Sequence, residues 1–366
     1  MDAEESTSLR LADREQSPPW SRDATGFSLG FESPAGGIPE AGSPPRDLAA
    51  EPSAADADGG LPPQRRCVLF QCETLPVLPA KKLFNTEVTL WTIAGVLGGA
   101  IDGALGPINH GLHPFEFESH SYFAHWQYSG GANMVSHFIS SAGPTDILYD
   151  AYRLNGLTED QSFALAFGTI AVAGALVEVG DGLTTPNGNG RGETFGFSPQ
   201  DWVSGALGAL SQAVIKRTHA DDLLSFQLGL WLGSDPPPEI VDGRPQYGID
   251  YTQEMYSLSM HSAGLFRRLH TNPGIGRFVR FSFAYMTKGF GYYPPLDSRY
   301  QQVGWEVGPD FPEILRAVGV SNSTWWGDLL LRVFTFIRFP YTQVGVYYNL
   351  TTGKWYGPGA PYHYIP

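Results

Sequence analysis

The chain has 366 residues and a formal net charge of −14, and only 16% of its residues are charged. Its 44 glycines, 29 prolines and 13% aromatic residues exclude a coiled coil, a collagen-like fibre and a wholly disordered chain. The acidic balance argues against a nucleic-acid partner, because nucleic-acid-binding proteins normally carry a basic face. Two cysteines are too few for a disulfide scaffold, and the length allows two or three domains.

The first segment is an N-terminal tail, residues 1–83, rich in Pro, Ser, Ala, Gly and acidic residues. Such a composition cannot bury enough apolar surface to offset the entropy of ordering it, so the tail is predicted to be disordered. Phe27–Phe31 could dock a protein partner, and a solvated spacer is the alternative. No secretory signal peptide starts at the first residue. Cys67 and Cys72 do not have a zinc spacing, and we expect a structural or incidental role for them.

An apolar run from Val88 to Ile108 follows the tail. As a helix rising about 1.5 Å per residue it would cross a hydrocarbon core of ~30 Å, so it is predicted to insert into a membrane. Gly95, Gly99 and Gly103 form a stripe of small residues that lets a second helix approach closely. Asp102 would need a polar partner inside the span. The alternative is a buried, glycine-rich helix of a soluble protein.

Three further helices are predicted before residue 220. His137 lies on the first of them, which is expected to kink or break at Gly143-Pro144. The second opens with a capping box that begins at Thr158, and the third is capped by Ser198. The three helices are predicted to cover 131–154, 158–179 and 198–216.

After residue 222 apolar residues alternate with polar ones, as in a strand that has one face on a core. The alternation recurs in segments separated by turn residues, which predicts an antiparallel sheet. The segments are 224–232, 255–265, 277–286, 301–308 and 341–350. Trp325–Arg338 is predicted to be a helix between the last two strands. We expect the sheet to pack against the helices, and a lipid-facing sheet is the alternative.

These elements together predict an α+β fold. A helical membrane-associated unit of about four helices precedes a C-terminal antiparallel β-sheet or small barrel-like sheet. The expected divisions are a disordered tail at 1–83, a helical domain at 84–220 and a β-rich domain at 221–366.

Candidate chemistry concentrates on four residues, His137, Glu178, Asp181 and Asp201. Glu178 and Asp181 are three residues apart and share a helix face, and Asp201 begins the next helix. If those two helices form an antiparallel hairpin, three carboxylates gather at one end. A divalent metal could bind there, or His137 could share a proton in acid–base catalysis. The alternative is structural, with Asp201 as a capping acid and Glu178 hydrogen-bonded to His137.

A second group places six potential metal ligands within sixteen residues. Their spacing matches no metal site that can be defended, and histidine-rich aromatic stretches also suit a membrane interface. Both interpretations stay open. The six residues are His110, His113, Glu116, Glu118, His120 and His125.

Four short motifs follow one another along the body: Gly130–Phe138, Glu178–Gly182, Gly196–Asp201 and Asp250–Ser259. Their order and spacing resemble the YfiM-like family of bacterial envelope proteins, a family of unknown function, over roughly 88–340. The helical half also looks distantly like VanZ-type membrane proteins. The resemblance implies a bacterial envelope location and no known reaction. Asn133 and its neighbour stand where the family has an Asp-Lys pair.

Two main hypotheses follow. The first is a membrane-associated envelope protein of structural or binding type, with membrane lipid as its partner and no cofactor. The second is a metal-assisted or acid–base hydrolase acting on an envelope lipid or glycan. There Glu178 is the base or a metal ligand, Asp181 and Asp201 complete the carboxylates, and His137 shuttles a proton. A third hypothesis is a scaffold whose acidic tail recruits a partner.

Overall fold

The computed structural model describes residues 64–75, 85–118, 123, 129–184, 196–230, 240–241, 244–245, 254–288, 290, 299–339 and 341–359. Residues 1–63 of the predicted tail, including its possible docking segment Phe27–Phe31, lie outside the described residues. Over the described ranges the fold is α+β, with seven α-helices and a mixed seven-stranded sheet as its main elements.

The four helices predicted before residue 220 are confirmed, and three shorter helices lie among the strands. Of the kink or break predicted at Gly143-Pro144, the break does not occur, because α2 runs through both residues. Thr145 Oγ1 donates to the carbonyl of Ser141 at 2.8 Å, and burial of the second half of α2 holds it against its neighbours. The helices are α1 Thr86–His110, α2 Ala132–Leu154, α3 Glu159–Gly182, α4 Pro199–Arg217, α5 Ser262–Arg268, α6 Phe311–Ala317 and α7 Trp325–Phe336.

Residues 64–75 correct the prediction of a tail that is disordered to residue 83. They form an antiparallel hairpin of β1, Gln64–Val68, and β2, Gln71–Leu75, which a Cys67–Cys72 disulfide joins. Val68 is fully buried in a small cluster with residues of α2, so the hairpin has a core to pack against. The composition averaged over residues 1–83 does not reveal so short an apolar segment.

The glycine stripe of α1 packs against α3, as predicted. A Cβ atom at Gly99 would overlap the backbone of Ala173, and one at Gly103 would overlap the carbonyl of Leu176. Only glycine therefore allows this approach. By length and composition, Thr86–Asn109 and Glu159–Gly182 are the two described helical segments that could cross a membrane.

The face of α1 turned away from α3 has no partner among the described residues. Its large apolar side chains are spaced three or four residues apart, and each is at least 47% exposed. Only 17% of the most apolar window of α1 is buried, which is unlike the core helix of a soluble protein. The side chains are Leu90, Ile93, Leu97, Ile101, Leu105 and Ile108.

The main sheet has the strand order β11-β10-β8-β7-β6-β3-β9, and every neighbouring pair is antiparallel except β3 and β9. The prediction of an antiparallel sheet thus holds for all but one short edge strand. The remaining strands are β3 Leu224–Leu230, β4 Ile240–Val241, β5 Arg244–Pro245, β6 Glu254–His261, β7 Val279–Lys288, β8 Tyr300–Pro309, β9 Ile337–Arg338, β10 Val344–Asn349 and β11 Lys354–Gly359.

This sheet is strongly curled. Arg338 on β9 donates to Glu306 on β8 at 2.7 Å, although three strands lie between β8 and β9 in the sheet order. In a flat sheet those two strands would be about 19 Å apart, since neighbouring strands are ~4.8 Å apart. The two side chains meet because the sheet closes toward a barrel.

The two faces of the sheet differ in chemistry. The face that lines the curled interior carries buried polar side chains such as Gln227, Ser259 and Glu306, beside a small buried apolar cluster that includes Met255 and Met286. We call the opposite face the apolar face. It is covered at one corner by α2 and α4, where Ile139 and Ile215 pack with Tyr256 and other apolar residues.

Beyond that corner, eight large apolar side chains of the apolar face are each at least 39% exposed. They come from β6, β7, β8, β10 and β11 and stand in register across the strands. The eight are Leu258, Phe281, Phe283, Trp305, Val307, Val344, Val346 and Trp355.

Candidate functional site

His137 lies in the first half of α2, with 30% of its side chain exposed. Its Nδ1 is 3.9 Å from Oε1 of Glu178. This distance is too long for a hydrogen bond, so the two groups face each other without the direct bond that a structural interpretation expects.

Glu178 comes from the last turns of α3, and only 2% of it is exposed. Its Oε2 accepts a hydrogen bond from the backbone N–H of Ser198 at 3.0 Å. Ser198 is the N-cap of α4, and its Oγ accepts from the N–H of Asp201 at 3.2 Å. The end of α3 is therefore tied to the beginning of α4, as the predicted hairpin requires.

Asp201 lies in the first turn of α4 and is 4% exposed. Its Oδ2 accepts from Nδ2 of Asn133 on α2 at 2.8 Å. Its buried Oδ1 meets no hydrogen-bond donor among the described residues. The carboxylate thus has one oxygen free to bind a ligand.

The three side chains converge. His137, Glu178 and Asp201 each offer one possible ligand atom, and all three atoms lie within 4.8 Å of one another. We call these three residues the acceptor cluster. They are the one group of three or more potential ligands found in the described part of the chain.

Two neighbours of the acceptor cluster differ from what the sequence suggests. Asp181 follows Glu178 on the same helix but does not join the three ligand atoms. In the sequence Asn133 is only a departure from the family motif, yet in the structure its side chain donates to Asp201 and orients it. No local spacing links it to Asp201, which is 68 residues away.

A cavity of about 480 Å³ lies beside the cluster, between α1, α2 and α3. Most of its wall is apolar or glycine, and its polar groups are few. His137 and Asp102 both line it, so the Asp102 carboxylate and the histidine share one cavity. Asp102 therefore has one ionisable side chain, His137, on the wall of the same cavity.

Another polar cluster joins α2, α4 and α7. Lys216 contacts Asp150 at 2.9 Å and Asp146 at 3.4 Å, and Arg332 contacts both aspartates and also Asp328. We call these five residues the ionic network. No sequence motif predicts it, because its members are spread over nearly two hundred residues.

The charges within the ionic network support one another. Burial alone would raise the pKa of Asp150, but Lys216 and Arg332 outweigh it and hold that pKa below its usual value. Burial alone would lower the pKa of Lys216, but Asp146 and Asp150 raise it above its usual value. Each group thus stays charged because its partners are present.

A third polar group lies inside the curled sheet. Ser225 Oγ is 2.8 Å from His261 Nε2, and His261 Nδ1 is 2.8 Å from Asp310. This connectivity is that of a nucleophile, base and acid. All three residues are at least nine-tenths buried, and the neighbouring polar cavity is only about 120 Å³. The group therefore serves as a hydrogen-bonded link between β3, β6 and the N-cap of α6.

The histidine-rich segment gives no metal site in its described part. His113 Nδ1 is 3.4 Å from Glu116, and both side chains are partly exposed. His120, His125 and the side chain of His110 lie outside the described residues.

No family model, curated protein or solved structure matches this chain. The resemblance to the YfiM-like family stays a prediction, and the inference of function rests on geometry.

Proposed function

We propose that this protein is membrane-associated and binds a divalent metal ion at His137, Glu178 and Asp201. The observation that carries the proposal is the convergence of their three ligand atoms within 4.8 Å. One imidazole nitrogen and two carboxylate oxygens suit Zn²⁺, Mn²⁺ or Fe²⁺. Two ligand atoms that are each about 2.1 Å from one ion are at most ~4.2 Å apart. Small side-chain shifts would therefore bring all three ligand atoms to coordination distance.

Charge balance supports a cation at this position. Glu178 and Asp201 are two nearly buried carboxylates, and the described residues place only the histidine beside them as a possible positive partner. Buried charges without compensation are costly, and a bound cation removes that cost. The free Oδ1 of Asp201 gives it a ligand atom.

Membrane association rests on α1. Its exposed apolar stripe and its length suit a lipid environment better than water. A bacterial envelope location follows from the YfiM-like resemblance alone and is part of the proposal.

Hydrolysis of a membrane lipid is a second candidate function, and the cavity beside His137 favours it. A divalent ion in such a site supplies Lewis-acid activation of an ester or phosphoester and of a water molecule. Glu178 and Asp201 would hold the ion, His137 would ligate it or move a proton, and Asp102 faces the same cavity. The apolar wall would take the lipid chain.

The test is a titration of the full chain, purified in detergent and stripped with EDTA, with Mn²⁺ and Zn²⁺ by calorimetry. The expected result is one ion bound per chain. Glu178→Gln should weaken binding at least tenfold, because one of the three protein ligands is lost. Asp181→Asn is the matched control, since it neutralises a carboxylate on the same helix outside the cluster. Unchanged binding in Glu178→Gln, or no binding in the wild type, contradicts the proposal.

A further inference from the structure

The exposed part of the apolar face is chemically uniform. At the strand positions 256–260, 281–287, 301–307 and 344–348, no described side chain on this face is charged. Trp305 is 62% exposed and packs on Phe283, with the ring centroids 5.0 Å apart. A monomeric protein in water rarely exposes so continuous an apolar surface.

Two charged side chains of β7 and β8 are on the other face. Arg280 and Glu306 are 1% and 2% exposed, and they lie in the curled interior with Arg338. A sheet folded in water would gain by placing arginine and glutamate outside and phenylalanine inside. The observed arrangement is favourable when the solvent outside the sheet is hydrocarbon, because the charged and polar side chains are then kept inside the sheet, away from the lipid.

Among the described residues, the apolar face is a second exposed apolar surface beside the stripe of α1. One hydrocarbon solvent covers both surfaces, whereas self-association would need two separate protein interfaces. Trp355 lies on the edge strand β11 and is 65% exposed, and tryptophan suits the boundary between acyl chains and headgroups.

We infer that the apolar face contacts the acyl chains of membrane lipids. The inference extends the membrane association proposed from α1, and it uses the stripe of α1 only to favour lipid over a second copy of the chain. It makes the curled sheet a lipid-facing part of the molecule, with the ionic and hydrogen-bonded side chains of its interior shielded from lipid.

Single spin labels test it in the full chain. Cys67 and Cys72 are joined in a disulfide, so an introduced cysteine is the one free thiol. Val344→Cys places the label on the apolar face, and Val318→Cys places it at a site 74% exposed outside that face. Ile101→Cys probes the stripe of α1. The chain is reconstituted in vesicles of phosphatidylethanolamine and phosphatidylglycerol, and accessibility to oxygen is compared with that to a nickel chelate.

The expected oxygen-to-nickel accessibility ratio is several-fold higher at residue 344 than at 318. A water-like ratio at 344 overturns the inference. If 101 is then lipid-like, only the inference on the sheet fails; if 101 is also water-like, membrane association fails with it. Low access to both reagents at 344, together with dipolar broadening, would show a second copy on this face and also overturns the inference.

Discussion

Two polar clusters share helices α2 and α4 and differ in their balance of charge. In the ionic network, Lys216 and Arg332 neutralise buried aspartates through direct contacts. In the acceptor cluster, two buried carboxylates face one partly exposed histidine at 3.9 Å or more. In the first cluster every aspartate directly contacts a lysine or an arginine. In the second, no described lysine or arginine contacts either carboxylate, and this difference separates a structural cluster from a ligand site.

The contribution of the ionic network to stability is tested by removing its central cation, Arg332. Arg332→Met leaves Asp146, Asp150 and Asp328 with too little positive charge. We expect the free energy of unfolding to fall by about 3–5 kcal/mol, as when one partner of a buried ion pair is removed. Thermal unfolding followed by circular dichroism in detergent measures it.

The matched control is Arg217→Met, whose ion pair with Asp160 is exposed. We expect it to cost less than ~1 kcal/mol. An equally small loss for Arg332→Met would show that the ionic network does not stabilise the helices.

In the acceptor cluster, removal of a charged group should raise the free energy of unfolding instead of lowering it. In metal-free protein, Glu178→Gln removes a buried carboxyl group that no described lysine or arginine contacts and keeps an oxygen for the N–H of Ser198. We expect the free energy of unfolding to rise by about 1–2 kcal/mol, while the stabilisation by added Mn²⁺ disappears. The same unfolding assay with EDTA and with Mn²⁺ measures both. A loss of stability without metal would make Glu178 a structural residue.

The dependence of stability on pH tests the ionic network further. Because the pKa of Asp150 is lower in the folded protein than its usual 3.8, the unfolded chain binds that proton more readily. The stabilisation is complete above about pH 4 and is lost as the pH falls through the folded-state value. The unfolding temperature should therefore decline below pH 4, and less steeply in Asp150→Asn. If the unfolding temperature declines equally with pH in both proteins, Asp150 does not cause the loss of stability in acid.

The smallest expected effect on stability is at the cavity. A Cβ at Gly98, which lines the cavity, meets nothing within 4 Å, and the same holds at Gly168, which does not line it. Gly98→Leu and Gly168→Leu should each change stability by no more than about 1 kcal/mol. Only Gly98→Leu should reduce the lipid that co-purifies with the chain, as measured by native mass spectrometry. Equal lipid retention would mean that lipid does not occupy this cavity.

Local signals in the sequence predicted much of the helical part. The glycine stripe of α1 and the capping box at Thr158 are formed by neighbours in sequence, and the structure contains both. The convergence of Glu178 and Asp201 required only one tertiary assumption, an antiparallel hairpin of α3 and α4.

The other features could not be predicted, because they depend on contacts between residues that are far apart in the sequence. The ionic network joins Asp146 to Arg332, and Ser225 reaches His261 and Asp310 only in the folded sheet. Strand alternation identified two faces, but its period is the same whichever face turns inward. The expected packed sheet therefore missed the polar interior, which only the curl of the sheet reveals.

The most direct test of the account is to identify the ligands of Mn²⁺ bound to the full chain by electron spin-echo modulation. A metal site at His137, Glu178 and Asp201 predicts coupling to one directly bound imidazole nitrogen, and loss of that coupling in His137→Gln. Bound Mn²⁺ without nitrogen coupling, or the same coupling in His137→Gln, would contradict a metal site at His137, Glu178 and Asp201.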